Sequence, residues 1–91
     1  MKLYFTNKFL GDIDNINVEG SWMYGEIFPT INMGEFQDFF TGIVDESNLE
    51  EHKYSEMLED KNWFILDDKN NKKEIYIPAI YSDNEISWRW R

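Results

Sequence analysis

The chain of 91 residues contains no cysteine and a single histidine. Without cysteine, a disulfide framework, a thiolate metal site and a cysteine nucleophile are excluded. A serine relay would have to be built around His52, and none of the five serines lies in a nucleophile-elbow sequence. His52 stands between Glu51 and Lys53, so we expect it to be a solvated surface residue. The sequence therefore predicts a protein that is not an enzyme.

Long apolar runs are also missing. No stretch approaches the roughly 20 apolar residues that a membrane-spanning helix needs. The apolar Leu3, Tyr4 and Phe5 are followed too soon by Asn7 and Lys8 to form a signal peptide. Together with the absence of cysteine, this pattern predicts a cytoplasmic protein with no membrane partner.

Basic residues are scarce. Nine Lys and Arg stand against eighteen Asp and Glu, so the net charge is -9. Binding to nucleic acid or to an anionic membrane needs a basic footprint, which this composition disfavours. Residues 9–60 carry thirteen acids and a single base, Lys53. This asymmetry suggests an electrostatic surface for a basic protein partner, although an acidic bias that only keeps a protein soluble is the commoner explanation.

One acidic segment resembles a cation site at first sight. Asp12 and Asp14 lie on one face of a predicted strand, and hard cations prefer oxygen ligands. However, Ile16 and Asn17 stand where a calcium-binding loop needs a further oxygen ligand and a glycine. We predict no metal and no cofactor.

Hydrophobic residues make up 42% of the chain and aromatic residues 18%, which is enough for the core of a single domain over residues 1–91. Alternating apolar residues between turn signals predict two groups of three strands. The predicted strands are Lys2 to Phe5, Phe9 to Val18, Trp22 to Phe28, Trp63 to Asp67, Glu74 to Tyr81 and Glu85 to Arg91. Within the fifth, Pro78 favours an edge or a bulge.

Two helices are predicted between these groups. Asn32 and Glu35 have the spacing of a capping box, and a stripe of apolar residues at helical spacing follows from Phe36 to Val44. Ser47 and Glu50 form a second such box, which predicts a helix running to about Asp60 or Lys61. The order βββ-αα-βββ predicts an α+β fold with a mostly antiparallel sheet and both helices on one face.

A further pattern concerns the aromatic residues. The spacing Trp22-x-Tyr24-Gly25-x-Ile27-x-Pro29, the phenylalanine-rich helix and the terminal Ile86-x-Trp88-Arg89 resemble short bacterial proteins of unassigned function. That resemblance implies no activity, cofactor or site residue. Within the last strand, alternation places Ile86, Trp88 and Trp90 on the inner face and the arginines on the outer face.

Three binding functions follow as hypotheses. The first is an inhibitor or immunity-type neutraliser of a basic protein, which binds through the second predicted helix and its approaches. The predicted partner-binding residues are Asp45, Glu46, Glu50, Glu51, Tyr54, Glu56, Glu59 and Asp60. The second is a scaffold or accessory subunit whose contact is an aromatic sheet face made of Trp22, Tyr24, Trp88 and Trp90. The third is a small-ligand or carbohydrate-binding domain, which needs an aromatic-lined pocket of about 300 Å³ or more.

Overall fold

A computed structural model describes residues 1–45 and 53–91, and these residues form one antiparallel sheet of seven strands. The strands are β1 Lys2–Phe5, β2 Lys8–Glu19, β3 Trp22–Pro29, β4 Trp63–Leu66, β5 Lys72–Glu74, β6 Ala79–Ile80 and β7 Glu85–Trp88. Their spatial order is β5-β4-β1-β2-β3-β7-β6. The predicted α+β class and the mostly antiparallel sheet are confirmed.

The hairpin turns follow from their residues. Gly20, Asn70 and Asn84 have positive φ and lie in three of the turns that join neighbouring strands, and Thr6 has positive φ in the β1–β2 turn although β-branched residues rarely adopt it. Glycine and asparagine adopt this left-handed conformation at little cost, so they are typical of such turns. In the turn between β4 and β5, the backbone amides of Asn71 and Lys69 donate to the Asp67 carboxylate, and these bonds lower the pKa of Asp67.

The sheet curls until its two sides meet. Ile75, just beyond β5, forms a bridge with Trp90, just beyond β7. Two backbone bonds flank this bridge, from Tyr76 N to Arg89 O and from Arg91 N to Glu74 O, each 3.0 Å long. The strand predicted from Glu74 to Tyr81 is therefore divided, and the buried Pro78 lies between its two parts, as a residue without an N–H requires.

The first predicted helix exists, but it starts differently. Residues Ile31–Phe36 form a 3₁₀ helix, and α1 covers Gln37–Asp45. The capping box is wrong: Thr30 caps the segment by accepting from the amide of Asn32, whose own side chain donates to Phe9 O. The phenylalanine stripe is confirmed as core, because its first three rings are at most 3% exposed.

The core lies inside the curled sheet, and the segment 31–45 covers it. At its centre, Trp63 is fully buried and its ring lies 4.9 to 6.1 Å from the rings of four phenylalanines. These four are Phe5, Phe36, Phe39 and Phe40. Phe5 belongs to β1 and the other three lie in the segment 31–45, so this cluster joins the sheet to α1.

The second predicted helix is wrong in the part that the structure describes. Its capping box lies outside the described residues, while residues 53–58 form turns and Asp60–Asn62 forms a short 3₁₀ helix. In an α-helix the carbonyls of Glu56 and Met57 would accept from amides four residues later. Instead, the Glu56 carbonyl accepts from the Asn62 side chain at 2.8 Å and from the Glu59 amide, three residues later, at 3.3 Å. The Met57 carbonyl accepts from the Trp63 side chain at 2.8 Å. The described residues thus contain one short α-helix, and the βββ-αα-βββ order is not found.

No helix in the described ranges combines the length and the apolar character needed to cross a membrane.

Candidate functional site

The predicted acidic surface is only partly covered by the structure. Glu46, Glu50, Glu51 and the side chain of Asp45 lie outside the described residues, as does His52. Among the others, Glu56 and Glu59 are exposed, and Glu59 pairs with Lys61 at 3.5 Å. Tyr54 is half-buried with its ring centroid 5.5 Å from that of Phe39, so it is anchored in the core and is not free at the surface.

Asp60, predicted to bind a partner, has a structural contact. Its side chain accepts a hydrogen bond of 3.0 Å from the backbone amide of Ile77, and Asp60 is half-buried. The bond ties the segment before β4 to the chain between β5 and β6.

We expect Asp60→Ala to lower the free energy of unfolding by about 1–3 kcal/mol, because it leaves the Ile77 amide without its acceptor. Asp60→Asn keeps an acceptor oxygen and should restore most of this loss. Glu59→Ala, a change at the neighbouring exposed acid, should stay within about 0.5 kcal/mol. Urea unfolding measures the free energy of unfolding of the three variants. Equal losses for Asp60→Ala and Glu59→Ala would contradict the structural role of the Asp60 side chain.

The four rings of the predicted aromatic face are divided between two faces of the sheet. Trp22 and Tyr24 are 41% and 39% exposed on the outer face, whereas Trp88 is fully buried and Trp90 is half-buried. The inward placement of Ile86, Trp88 and Trp90 is thus confirmed. The four rings do not form one exposed patch.

The outer face of β2, β3 and β7 instead brings carboxylates together. Asp14 pairs with Glu26 in the register of β2 and β3, and Glu26 pairs with Glu85 in the register of β3 and β7. All three side chains are exposed. Within the described ranges, no cationic group lies within 4.0 Å of any of them. Directly opposed like charges destabilise a sheet, so we expect the three carboxylates of this row to repel one another.

A bulge in β2 shapes the space beside this row. The register with β3 shifts between Asp14 and Asn17, and Asn15 adopts a positive φ of 55°. The Asn17 side chain donates to Asn15 O at 3.1 Å and stabilises the bulge. Gly25 of β3 lies opposite, where a Cβ would come within 3.0 Å of Asp14 O. Position 25 therefore needs glycine, because a side chain there would prevent the close approach of β2.

The bulge borders a cleft of about 640 Å³, which we call the Tyr24–Tyr81 cleft. Its charged lining residues are all carboxylates, and its two tyrosine rings are about two-fifths exposed. The lining residues are Asn15, Asn17, Val18, Glu19, Tyr24, Gly25, Glu26, Tyr81, Glu85 and Ile86. Tyr81 is placed beside the carboxylate row by the β6–β7 hairpin, since its amide donates to Glu85 O at 2.9 Å. The cleft therefore offers negative charge and aromatic faces to a ligand.

A guanidinium already contacts two aromatic rings on the same outer face. The central carbon of the Arg89 guanidinium is 4.9 Å from the ring centroid of Trp22 and 5.1 Å from that of Tyr76. Both distances lie within the roughly 6 Å range of a cation–π contact.

A second cleft, of about 500 Å³, lies between α1 and the β6–β7 hairpin. Its lining is uncharged, with Phe40 and Tyr81 as its aromatic residues. Its volume is large enough for the small-ligand hypothesis, but its lining is not mainly aromatic.

The sequence did not indicate Glu26, Glu85 and Tyr81 as site residues. Strand alternation places each acid outward, but only the register makes Asp14, Glu26 and Glu85 neighbours. Register depends on the bulge at Asn15, for which the sequence offers one weak signal, an asparagine that tolerates positive φ.

Comparison of the chain with protein-family models, with curated proteins and with solved structures gives no match, so its function is inferred from the site itself.

Proposed function

We propose that the protein is a small, non-enzymatic binding domain that recognises a basic protein partner through the outer face of β2, β3 and β7. We further propose that it acts as an inhibitor or neutraliser of that partner. The observation that carries the proposal is the Tyr24–Tyr81 cleft, whose charged side chains are all acidic.

Electrostatics supports this choice of partner. The carboxylates of Asp14, Glu26 and Glu85 repel one another in the free domain, and a bound cation would relieve that repulsion. A net charge of -9 would also steer a basic partner toward the domain and raise the association rate. Binding is therefore expected to be fast and strongly dependent on salt.

The inhibitory action follows from the same geometry. Neighbouring strands are about 4.8 Å apart, so the row presents three negative charges at short, regular intervals, as a short polyanion does. If the partner itself binds a polyanion, this acidic row would occupy the partner's binding site. The partner's own ligand would then be excluded.

The proposal is tested with an oligo-arginine peptide of about nine residues as a mimic of a basic protein surface. Glu26→Gln/Glu85→Gln should weaken binding about fivefold at about 20 mM salt, since two exposed ion pairs together contribute about 1 kcal/mol. The matched control is Glu56→Gln/Glu59→Gln, which removes the same charge from two exposed acids of the set that the sequence predicts to bind the partner. We expect a clearly smaller loss for this control.

The readout is fluorescence anisotropy of the labelled peptide. Equal losses for the two double variants would show that net charge alone drives binding, and would contradict the site. A larger loss for the control pair would place the binding site in the segment 53–60 and would contradict the site proposed here. In a second assay, the domain should release a labelled single-stranded DNA oligonucleotide from the peptide, and failure to compete would contradict the inhibitory role.

A further inference from the structure

We infer that the Tyr24–Tyr81 cleft binds an arginine side chain of the partner, an inference that rests on the proposed function and names its chemical contact. The side chain would lie against the tyrosine rings, with its guanidinium bound to the carboxylates of Glu26 and Glu85.

The geometry of the cleft is fixed by strand register. Glu26 and Glu85 are directly opposite each other on β3 and β7, which places their side chains side by side on the outer face. Tyr24 lies two residues before Glu26 on the same strand face, and Tyr81 is bonded through its amide to Glu85. Both tyrosines and both glutamates line the cleft, so a ligand bound there can contact the rings and the carboxylates.

Chemistry selects the ligand. Glu19, Glu26 and Glu85 are the charged residues of the lining, so the ligand is a cation. No group of three or more acidic or histidine side chains among the described residues is arranged to hold a metal ion. A planar guanidinium matches paired carboxylates through its fork of N–H donors and stacks on aromatic faces, whereas a lysine ammonium is a hydrated point charge.

Arg89 provides an independent argument for this binding mode. On the same outer face, its guanidinium lies within about 5 Å of the ring centroids of Trp22 and Tyr76. Its neighbour in the chain, Trp88, faces the core, so Arg89 takes this position by strand alternation. The face thus already accommodates one guanidinium in contact with two rings, and the cleft offers two further rings with carboxylates beside them.

The inference is tested by nuclear magnetic resonance titration of the isotope-labelled protein with acetyl-Gly-Arg-Gly-amide. The lysine and citrulline counterparts serve as comparison ligands. The arginine peptide should shift the backbone amides of Gly25 and Ile86, which line the cleft. The citrulline peptide, which is uncharged, should bind about tenfold more weakly, because it loses charge-assisted hydrogen bonds. The lysine peptide should bind about threefold more weakly, since it lacks ring stacking.

Two variants separate the role of the rings from that of charge. Tyr24→Leu/Tyr81→Leu keeps every carboxylate and should reduce arginine binding about threefold, to the level of the lysine peptide. Phe28→Leu is the matched control, because Phe28 is 53% exposed on β3 and does not line the cleft. This control should leave the affinity unchanged. The amide spectrum of each variant verifies that the fold is intact.

The outcomes distinguish this inference from the proposed function. Equal binding of the arginine and lysine peptides, or shifts away from Gly25 and Ile86, would overturn the arginine inference. The proposed function would survive that result if Glu26→Gln/Glu85→Gln still weakened oligo-arginine binding. Equal binding of the citrulline and arginine peptides would overturn the inference, and failure of the oligo-arginine peptide to bind would overturn the proposed function.

Discussion

Trp63→Ala is expected to lower the free energy of unfolding by about 3–5 kcal/mol. Trp63 is fully buried among four phenylalanine rings, and its indole N–H donates to Met57 O at 2.8 Å. Alanine would leave a large cavity between the sheet and α1, and it would release the segment 53–58. Small domains are stable by only about 5–15 kcal/mol, so this loss is a large part of the total.

The matched control is Trp22→Ala, the same substitution at a ring that is 41% exposed on the outer face. It should cost no more than about 1 kcal/mol, mainly through the lost contact with Arg89. Urea denaturation measures both. If Trp63→Ala does not fold, Trp63→Phe allows the comparison, because it keeps an aromatic ring and loses the bond to Met57. Equal destabilisation at positions 63 and 22 would contradict the core described here.

The parts of the fold that the sequence predicts well are those that depend on near neighbours. The first three strands and the phenylalanine stripe are set by alternation, by helical spacing and by turn residues such as Gly20. Pro78 likewise predicts the interruption between β5 and β6, because a residue without an N–H interrupts a strand whatever surrounds it.

The errors come from side-chain hydrogen bonds to the backbone that spacing patterns do not show. A capping box and a thin apolar face predict the second helix, yet the side chains of Asn62 and Trp63 donate to the carbonyls of Glu56 and Met57, six residues earlier. Similarly, Asn32 has the spacing of a cap, but its side chain bonds to Phe9 O, 23 residues away. Local patterns carry no information about such competing hydrogen bonds.

The candidate site illustrates the same limit. The composition predicts an acidic surface and a basic partner, and strand alternation predicts that Arg89 faces outward. The neighbourhood of Asp14, Glu26 and Glu85 requires the pairing of three strands, one of them distant in sequence. The sequence indicates residues 45–60 instead, where charge is densest along the chain, and the described part of that range, residues 53–60, lies in no strand.

The bulge that borders the Tyr24–Tyr81 cleft leads to the second large effect, which is expected for Gly25→Ala. A Cβ at this position would lie 2.9 Å from Ile13 Cγ2 and 3.0 Å from Asp14 O. The Ile13 side chain must shift and the backbone at Asp14 must give by a few tenths of an ångström, so we expect a loss of about 1–3 kcal/mol in the free energy of unfolding. The variant should also bind the oligo-arginine peptide more weakly, because the displacement separates Asp14 from Glu26.

Gly34→Ala is the matched control, since a Cβ there meets no atom within 4 Å and its φ is not positive. Alanine restricts the unfolded chain more than glycine does, so this variant should be unchanged or up to about 1 kcal/mol more stable, with normal binding. Both variants are measured by urea unfolding and by peptide titration. If Gly25→Ala were as stable as Gly34→Ala, the close approach of β2 would be wrong. If it were destabilised but bound normally, the bulge would support the sheet without shaping the cleft, because the carboxylates would then act independently of their spacing.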